Sequence, residues 1–216
     1  MQIIETTVFN FEELSDAAKE KAREWYRDGM NGDNYFAEFV IEDAAEIAGM
    51  MGLDIFQRTI RLMGGGTRQE PAVYWSGFSS QGDGACFEGT WNASGVKPGK
   101  VKEYAPADTE LHRIAADFER LAKEFPQASF SVKHSDRYCH EHSVSFQFDI
   151  PGDSEEAVAV ALCERAEEEL AEAARDFMRW IYRQLEKEYE YQNSDTQVDE
   201  SIIANDYTFT ANGKRF

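Results

Sequence analysis

The stretch VYWSGFSSQGDGACFEGTW, residues 73–91, decides how the rest of the sequence is interpreted. Apolar and β-forming residues flank a polar centre, and two glycines surround Asp83 within that centre. Because glycine adopts positive φ without strain, this centre suits the tight turn of a β-hairpin. We therefore predict a hairpin against which the rest of the chain packs. Its apolar residues are Val73, Trp75 and Phe78 on the first arm and Ala85, Phe87 and Trp91 on the second.

Periodic patterns of apolar residues indicate the other elements. Recurrence every three or four positions predicts helices over residues 15–29, 35–51, 109–125, 154–191 and 196–205. Alternation predicts strands over residues 2–11, 53–63, 128–134, 143–150 and 207–210, and residues 92–103 are interpreted as a loop or short strand. We place Phe39 on the buried stripe of the second helix. This mixture predicts one α+β domain, residues 1–216, with a mostly antiparallel sheet.

The helix predicted over residues 154–191 is the longest. Asp153 and Glu156 match a capping box at its start. At 1.5 Å per residue it would be roughly 55 Å long, which exceeds one small domain, so we expect residues 153–191 to kink or project. Its apolar face carries Leu162, Ala166, Leu170, Ala174, Phe177, Ile181 and Leu185.

Composition limits the function classes. The chain has 41 Asp and Glu residues against 22 Lys and Arg, a formal net charge of −19. This charge argues against direct binding of DNA or RNA and favours a basic partner. The longest apolar run, residues 157–163, is far shorter than the roughly 20 residues that span a bilayer. We recognise no targeting segment, and we expect a cytoplasmic protein with reduced Cys86, Cys139 and Cys163.

Four quoted segments carry a family resemblance: ELSDAAK at 13–19, YWSGFSSQGDGACF at 74–87, HSDRYCH at 134–140 and NDYTFT at 205–210. They resemble a family of small phage and prophage proteins, often labelled antitoxin of a toxin–antitoxin stability system. The resemblance implies a phage-encoded protein of the host cell cytosol that neutralises a host factor. It implies no catalytic residues.

A group of possible metal ligands lies between two predicted strands. Its members are His134, Asp136, Cys139, His140, Glu141 and His142. Histidine and cysteine are ligands that zinc prefers, so zinc is one interpretation. However, residues 139, 140 and 142 of one short turn do not easily converge, and the chain contains no paired CxxC motif. We therefore expect solvated or hydrogen-bonded histidines, no stoichiometric metal and no cofactor.

The polar turn of the hairpin suggests an alternative function. Ser80, Gln81 and Asp83 lie close to Cys86, which could act as a nucleophile if a histidine of the 134–142 turn were near. The alternative is a small cysteine-dependent or metal-dependent hydrolase that uses both turns. This interpretation requires the two turns to lie at the same end of the sheet.

Acidic residues recur on the long helix, and they suggest the favoured function. Glu164, Glu168, Glu172 and Asp176 are four residues apart, so neighbouring carboxylates lie about 6 Å apart in a row. Like charges at this spacing destabilise the helix by a few tenths of a kcal/mol per pair, and the sequence shows no structural role for them that would offset this cost. A row of carboxylates resembles the phosphates of a nucleic acid. A second possible surface on this helix, for pairing with another copy of the chain, consists of Met178, Trp180, Tyr182 and Tyr189.

These observations favour a non-enzymatic, acidic binding protein. Its expected partner is a basic host protein or a protein–nucleic acid complex, such as a toxin or a nucleic-acid-handling defence complex. The expected action is that of an antitoxin or an anti-CRISPR-like inhibitor, with nucleic-acid mimicry as one route. A homodimer is a further expectation.

Overall fold

A computed structural model describes residues 5–30, 35–135, 137–151 and 157–216. The chain forms two compact units, one from Met1–Ala37 with Lys187–Phe216 and the other from Glu38–Glu186. The helices are α1 (Asp16–Met30), α2 (Tyr35–Met50), α3 (Lys100–Tyr104), α4 (Thr109–Glu124), α5 (Ala157–Gln192) and α6 (Asp195–Ala204). The strands are β1 (Phe9–Asn10), β2 (Met51–Ile55), β3 (Gln57–Arg61), β4 (Thr67–Pro71), β5 (Val73–Trp75), β6 (Ala85–Phe87), β7 (Gly89–Val96), β8 (Ser129–His134), β9 (Val144–Asp149) and β10 (Thr208–Phe209). The predicted α+β class is confirmed.

An antiparallel sheet in the order β2-β7-β8-β9 carries the core of the larger unit. Trp91 of β7 stacks on Phe130 of β8 with ring centroids 5.7 Å apart, and Phe118 of α4 covers the same ring at 5.8 Å. The Trp91 indole N–H donates to the carbonyl oxygen of Met51 at 2.9 Å, so its polar atom is satisfied inside the core. On the other face of the sheet, small polar side chains such as Ser131 alternate with these buried rings.

The predicted hairpin is present but shorter than expected. Strands β5 and β6 pair from Val73 opposite Phe87 to Trp75 opposite Ala85. Phe78 lies beyond the strand, where its ring packs on Trp75 at 5.6 Å. The prediction that Trp91 belongs to the hairpin is wrong.

The chain leaves the hairpin for the larger sheet at Gly89. A Cβ at this glycine would lie 2.3 Å from the carbonyl oxygen of Asp54 on β2, so only glycine permits the close approach of the two backbones. Residues from Gly89 onward therefore pair with β2 and β8, and Trp91 is placed in the core of that sheet.

The single strand predicted over residues 53–63 is two strands, β2 and β3, which belong to different sheets. The break lies at Phe56, whose N–H donates to the Glu88 carbonyl at 2.9 Å and whose carbonyl accepts from the Ala72 N–H at 2.6 Å. Across this break the apolar positions change from odd to even numbers, a signal in the sequence that the prediction of one continuous strand ignores. The residues are Leu53 and Ile55 before the break and Ile60 and Leu62 after it. Helix α3 was also missed, because five residues are too few for a recognisable period.

The smaller unit packs β1, β10, α1 and α6 around its own apolar cluster. The opening strand is wrong over residues 5–8, which have no regular structure, and residues 2–4 of that prediction lie outside the described part of the chain. Only Phe9 and Asn10 pair, because their partner β10 is itself two residues long. The buried cluster consists of Phe11, Leu14, Ala18, Ala22, Val198, Ile202 and Phe209.

Helix α5 spans 36 residues and confirms most of the predicted apolar face. Six of the seven predicted residues are buried, whereas Leu162 is 43% exposed. Met178 and Trp180 are also buried, so they do not form the predicted outward surface. Phe39 of α2 is 79% exposed, which corrects its placement in a buried stripe.

The capping box of Asp153 and Glu156 lies outside the described residues. Among the helices that the structure describes, none combines the length and the apolar character that crossing a membrane requires.

Candidate functional site

The hairpin turn (residues 79–87) and the histidine turn (residues 134–142) lie side by side in the larger unit. A Cβ at Gly84 would lie 3.0 Å from Cδ2 of His140. The same Cβ would lie 3.0 Å from the carbonyl oxygen of Cys139. The two turns therefore meet the geometric condition that the hydrolase alternative required. Sequence spacing gave no means of finding this contact, because it joins residues more than fifty positions apart.

Asp83 organises the polar turn of the hairpin. Its carboxylate accepts hydrogen bonds from the backbone N–H groups of Ser80 at 2.6 Å and Ser79 at 3.0 Å. These bonds hold the pKa of Asp83 below its usual range. Gly82 adopts a φ of 101°, which the same turn requires. The motif residues Ser80 and Gln81 are exposed, so the structure explains this motif first as a device for closing the turn.

The cysteines of the joined turns do not form an activated nucleophile. Cys86 is fully buried, and burial raises the pKa of its thiol to about 12. Burial also raises the pKa of Cys139. A nucleophilic cysteine requires a lowered pKa, so the cysteine-dependent form of the hydrolase alternative loses its chemical support. All three cysteines are free thiols.

His134 has a structural environment. Its ring stacks on Tyr74 with centroids 4.7 Å apart, and Nε2 lies 2.9 Å from the carbonyl oxygen of Tyr138. Its backbone N–H donates to Glu88 at 3.1 Å, and the Tyr74 hydroxyl donates to the same carboxylate at 3.1 Å. His134 thus fixes the base of the histidine turn. Asp136 lies outside the described residues.

His140, Glu141 and His142 converge. One possible ligand atom from each lies within 4.8 Å of the other two. Residues 139, 140 and 142 were expected not to converge, and the converging group contains Glu141 in place of Cys139. The turn closes through a hydrogen bond from the Ser143 N–H to the His140 carbonyl at 2.8 Å, and the two histidine rings stack with centroids 5.4 Å apart. Cys139 is not part of the converging trio.

The predicted acidic row divides into two parts. Glu164 and Glu168 are exposed, and no ion pair within the described chain involves them. Glu172 pairs with Arg179 at 2.5 Å, and Asp176 pairs with the same guanidinium at 2.6 Å. Glu172 and Asp176 therefore stabilise the fold through ion pairs with Arg179, whereas the sequence alone indicated no structural role for them.

Asp176 is the member of the acidic row that makes ion pairs both within α5 and to α4. Its side chain is 21% exposed, and Arg113 of α4 contacts it at 2.9 Å. Burial opposes ionisation, but hydrogen bonds from Arg179 and Arg113 outweigh it and lower the pKa of Asp176. Its carboxylate is occupied by ion pairs with Arg113 and Arg179, so Asp176 is not a candidate for binding a partner.

Ion pairs between α4 and α5 were missed by sequence reasoning. Besides the Arg113–Asp176 pair they join Arg120 to Glu169 at 2.7 Å, Arg183 to Glu110 at 2.5 Å, and Arg165 to Glu124. We call these contacts the α4–α5 ion pairs. They hold Glu169 and Asp176 of α5, whereas Glu164, Glu167 and Glu168 are exposed and have no such pair. These three glutamates form the acidic patch.

The chain is thus an α+β protein with an acidic patch on its longest helix and a converging histidine–glutamate trio in its histidine turn. Residues 36–195 match the family described as Domain of unknown function (DUF8835). This match covers more than half of the chain, which belongs to that family, and it includes both turns and the acidic patch. No curated protein and no solved structure matched the chain.

Proposed function

We propose that this protein is an acidic binding protein that engages the basic surface of another macromolecule through the acidic patch. One observation carries the proposal: Glu164, Glu167 and Glu168 are exposed and take part in no ion pair within the described residues, whereas Glu169 and Glu172, which follow on the same helix, are held by arginines. These three neighbouring acids contribute to the net charge of −19 and are not neutralised by a pair within the described chain.

The spacing of the patch suits a basic groove. Glu164 and Glu168 are one helical turn apart, about 6 Å along the axis, and Glu167 lies between them on the same side. Repulsion at this spacing disfavours the helix by a few tenths of a kcal/mol per pair. Approach of a cationic surface would relieve that repulsion and gain attraction over a Debye length of about 10 Å.

The class of partner follows from charge. Nucleic acid would be repelled by a surface of this sign, so the partner is a basic protein, or a protein whose groove normally binds nucleic acid. The resemblance to phage and prophage proteins favours a host toxin or a nucleic-acid-handling defence complex. Acting on such a target, the protein would be an inhibitor in the host cytoplasm, of the antitoxin or anti-CRISPR kind.

The test compares three baits in a bacterial host lysate: wild type, a patch variant and a charge-matched control. The patch variant carries Glu164→Gln, Glu167→Gln and Glu168→Gln. The control carries Glu24→Gln, Glu190→Gln and Glu200→Gln, which are exposed acids of the smaller unit. Both variants remove three negative charges. We expect a basic partner to be retained by wild type and control and lost from the patch variant.

The size of the effect follows from the energies of exposed charge contacts. Three such contacts at a few tenths to about 1 kcal/mol each predict affinity between about fivefold and about 150-fold weaker for the patch variant. Elution of the partner at about 1 M salt, where the Debye length is about 3 Å, would support the proposal. Identical capture by all three baits would overturn it.

A further inference from the structure

We infer that His140, Glu141 and His142 form a binding site for a divalent metal ion, with zinc as the fitting class. This inference is independent of the acidic patch and of the proposed binding function. The first step is the chemistry of the donors. Two imidazoles and a carboxylate are the ligand set of many three-ligand zinc sites, in which a water or another molecule takes the fourth position. Imidazole nitrogens disfavour magnesium and calcium, which prefer oxygen ligands.

The second step is geometry. Nδ1 of His140 lies 3.1 Å from Oε2 of Glu141. Two ligands about 2.05 Å from a tetrahedral zinc ion are about 3.3 Å apart, so these two atoms already have nearly the required separation. One possible ligand atom from each of the three residues lies within 4.8 Å of the other two, and Nε2 of His142 lies 4.0 Å from Oε1 of Glu141. Rotation of the His142 side chain, which is 63% exposed, can close the remaining gap.

The third step concerns hydrogen bonding. The His142 N–H points to Nδ1 of His140 at 3.3 Å, and a nitrogen that accepts this hydrogen bond carries a lone pair. In this tautomer Nδ1 is the atom of His140 that can bind a metal together with Oε2 of Glu141, which lies 3.1 Å away.

The fourth step is the support around the ligands. The ring of His140 lies against the hairpin in the space that Gly84 leaves, where a Cβ would be 3.0 Å from its Cδ2. The Glu141 side chain is only 12% exposed, and Arg179 contacts its Oε1 at 3.4 Å, which leaves Oε2 directed toward His140. Such outer contacts fix ligands before a metal arrives. The charge of Arg179 is shared with Glu172 and Asp176, which reduces its opposition to a cation.

The exposure of His142 decides what the site could do. A metal held by these three residues would have a coordination position open to solvent at the junction of the two turns. An open position allows a bound water or a small anionic group as fourth ligand, as in zinc sites with chemical activity.

The inference is tested with zinc chloride and the full chain after treatment with a chelator. Calorimetric titration and elemental analysis of the dialysed protein should give one zinc per chain. His142→Ala removes a mostly exposed side chain, so the fold should persist, and zinc affinity should fall at least about tenfold. Glu141→Gln should weaken binding by a similar factor.

The control is His112→Ala. His112 belongs to the same unit, and its Nε2 lies 2.8 Å from the Ala105 carbonyl oxygen, away from the trio. Zinc affinity should be unchanged in this variant, and circular dichroism should match wild type for all variants. Absence of binding to wild type at about 100 µM zinc would overturn the inference, and so would equal binding by wild type and His142→Ala.

Discussion

Asp83 and Cys86 lie three residues apart in the hairpin, and their surroundings push their proton affinities in opposite directions. Backbone N–H groups stabilise the charged form of Asp83, whereas burial disfavours the charged form of Cys86. The sequence motif that contains both residues resembles a catalytic turn. The structure separates their roles, since the acid closes the turn and the thiol packs behind it.

The contribution of Asp83 can be measured by substitution. Asp83→Ala removes the acceptor for the Ser79 and Ser80 N–H groups, so we expect a lower urea midpoint, and Asp83→Asn, which keeps one acceptor oxygen, should lose less. Its folded pKa is lowered, so its contribution is present above the unfolded pKa of about 4 and is lost as pH falls through the folded pKa. The difference in midpoint between wild type and Asp83→Asn should therefore shrink in acid. A difference that grows would contradict this assignment.

The state of Cys86 predicts its reactivity. With a pKa of about 12, only roughly one thiol in 10⁴ is ionised at pH 8, and the side chain is also inaccessible. We expect a thiol reagent to modify Cys86 in unfolded protein but not in native protein over the same period. Peptide mapping assigns the site, with the half-buried Cys163 as internal comparison. Rapid native labelling of Cys86 would revive the cysteine-dependent hydrolase.

At the scale of elements, α5 combines three roles along one helix. Its apolar face completes the core, its arginines and Asp176 bind α4 and the histidine turn, and its exposed glutamates form the acidic patch. Period alone identified the apolar face, because burial follows the helical repeat. The helical repeat could not show which acids form ion pairs, since partners such as Arg113 and Arg120 lie on α4.

Arg179 should contribute more to stability than an ordinary surface arginine. It contacts Glu141, Glu172 and Asp176, and its own side chain is 30% exposed. Arg179→Ala should lower the free energy of unfolding by about 1 kcal/mol, the upper end for partly exposed pairs. Lys100→Ala, which removes an exposed pair with Glu103, should change it by only a few tenths. Urea unfolding of both variants is the measurement, and equal effects would count against the network.

Features that depend on neighbouring residues could be predicted from the sequence, whereas features that depend on contacts between distant residues could not. The α+β class, the arms of the β5–β6 hairpin and the face of α5 were predicted because each depends on neighbouring residues. The move of Trp91 into the larger sheet depends on the close approach of Gly89 and Asp54, which no local pattern shows. The histidines were recognised as ligand types, but their convergence depends on how one turn closes.

At the scale of the whole molecule, the 41 acidic residues include acids that pair with arginines and stabilise the fold and acids that do not. The α4–α5 ion pairs belong to the first group and the acidic patch to the second. An acidic composition alone favours solubility and says little about function. Because the acidic patch lacks the ion pairs that hold other acids of α5, the proposed function can be assigned to a defined surface and tested there.

The most direct test is the salt dependence of binding to the captured basic partner. We compare wild type with charge reversals, Glu164→Lys with Glu167→Lys and Glu168→Lys, and with the matched reversals of Glu24, Glu190 and Glu200. The binding constant of wild type and of the control should fall steeply between about 50 and 200 mM salt, while the patch reversal binds at least about tenfold more weakly at low salt. Equal binding by the patch reversal and wild type, or wild-type binding insensitive to salt, would contradict the central claim.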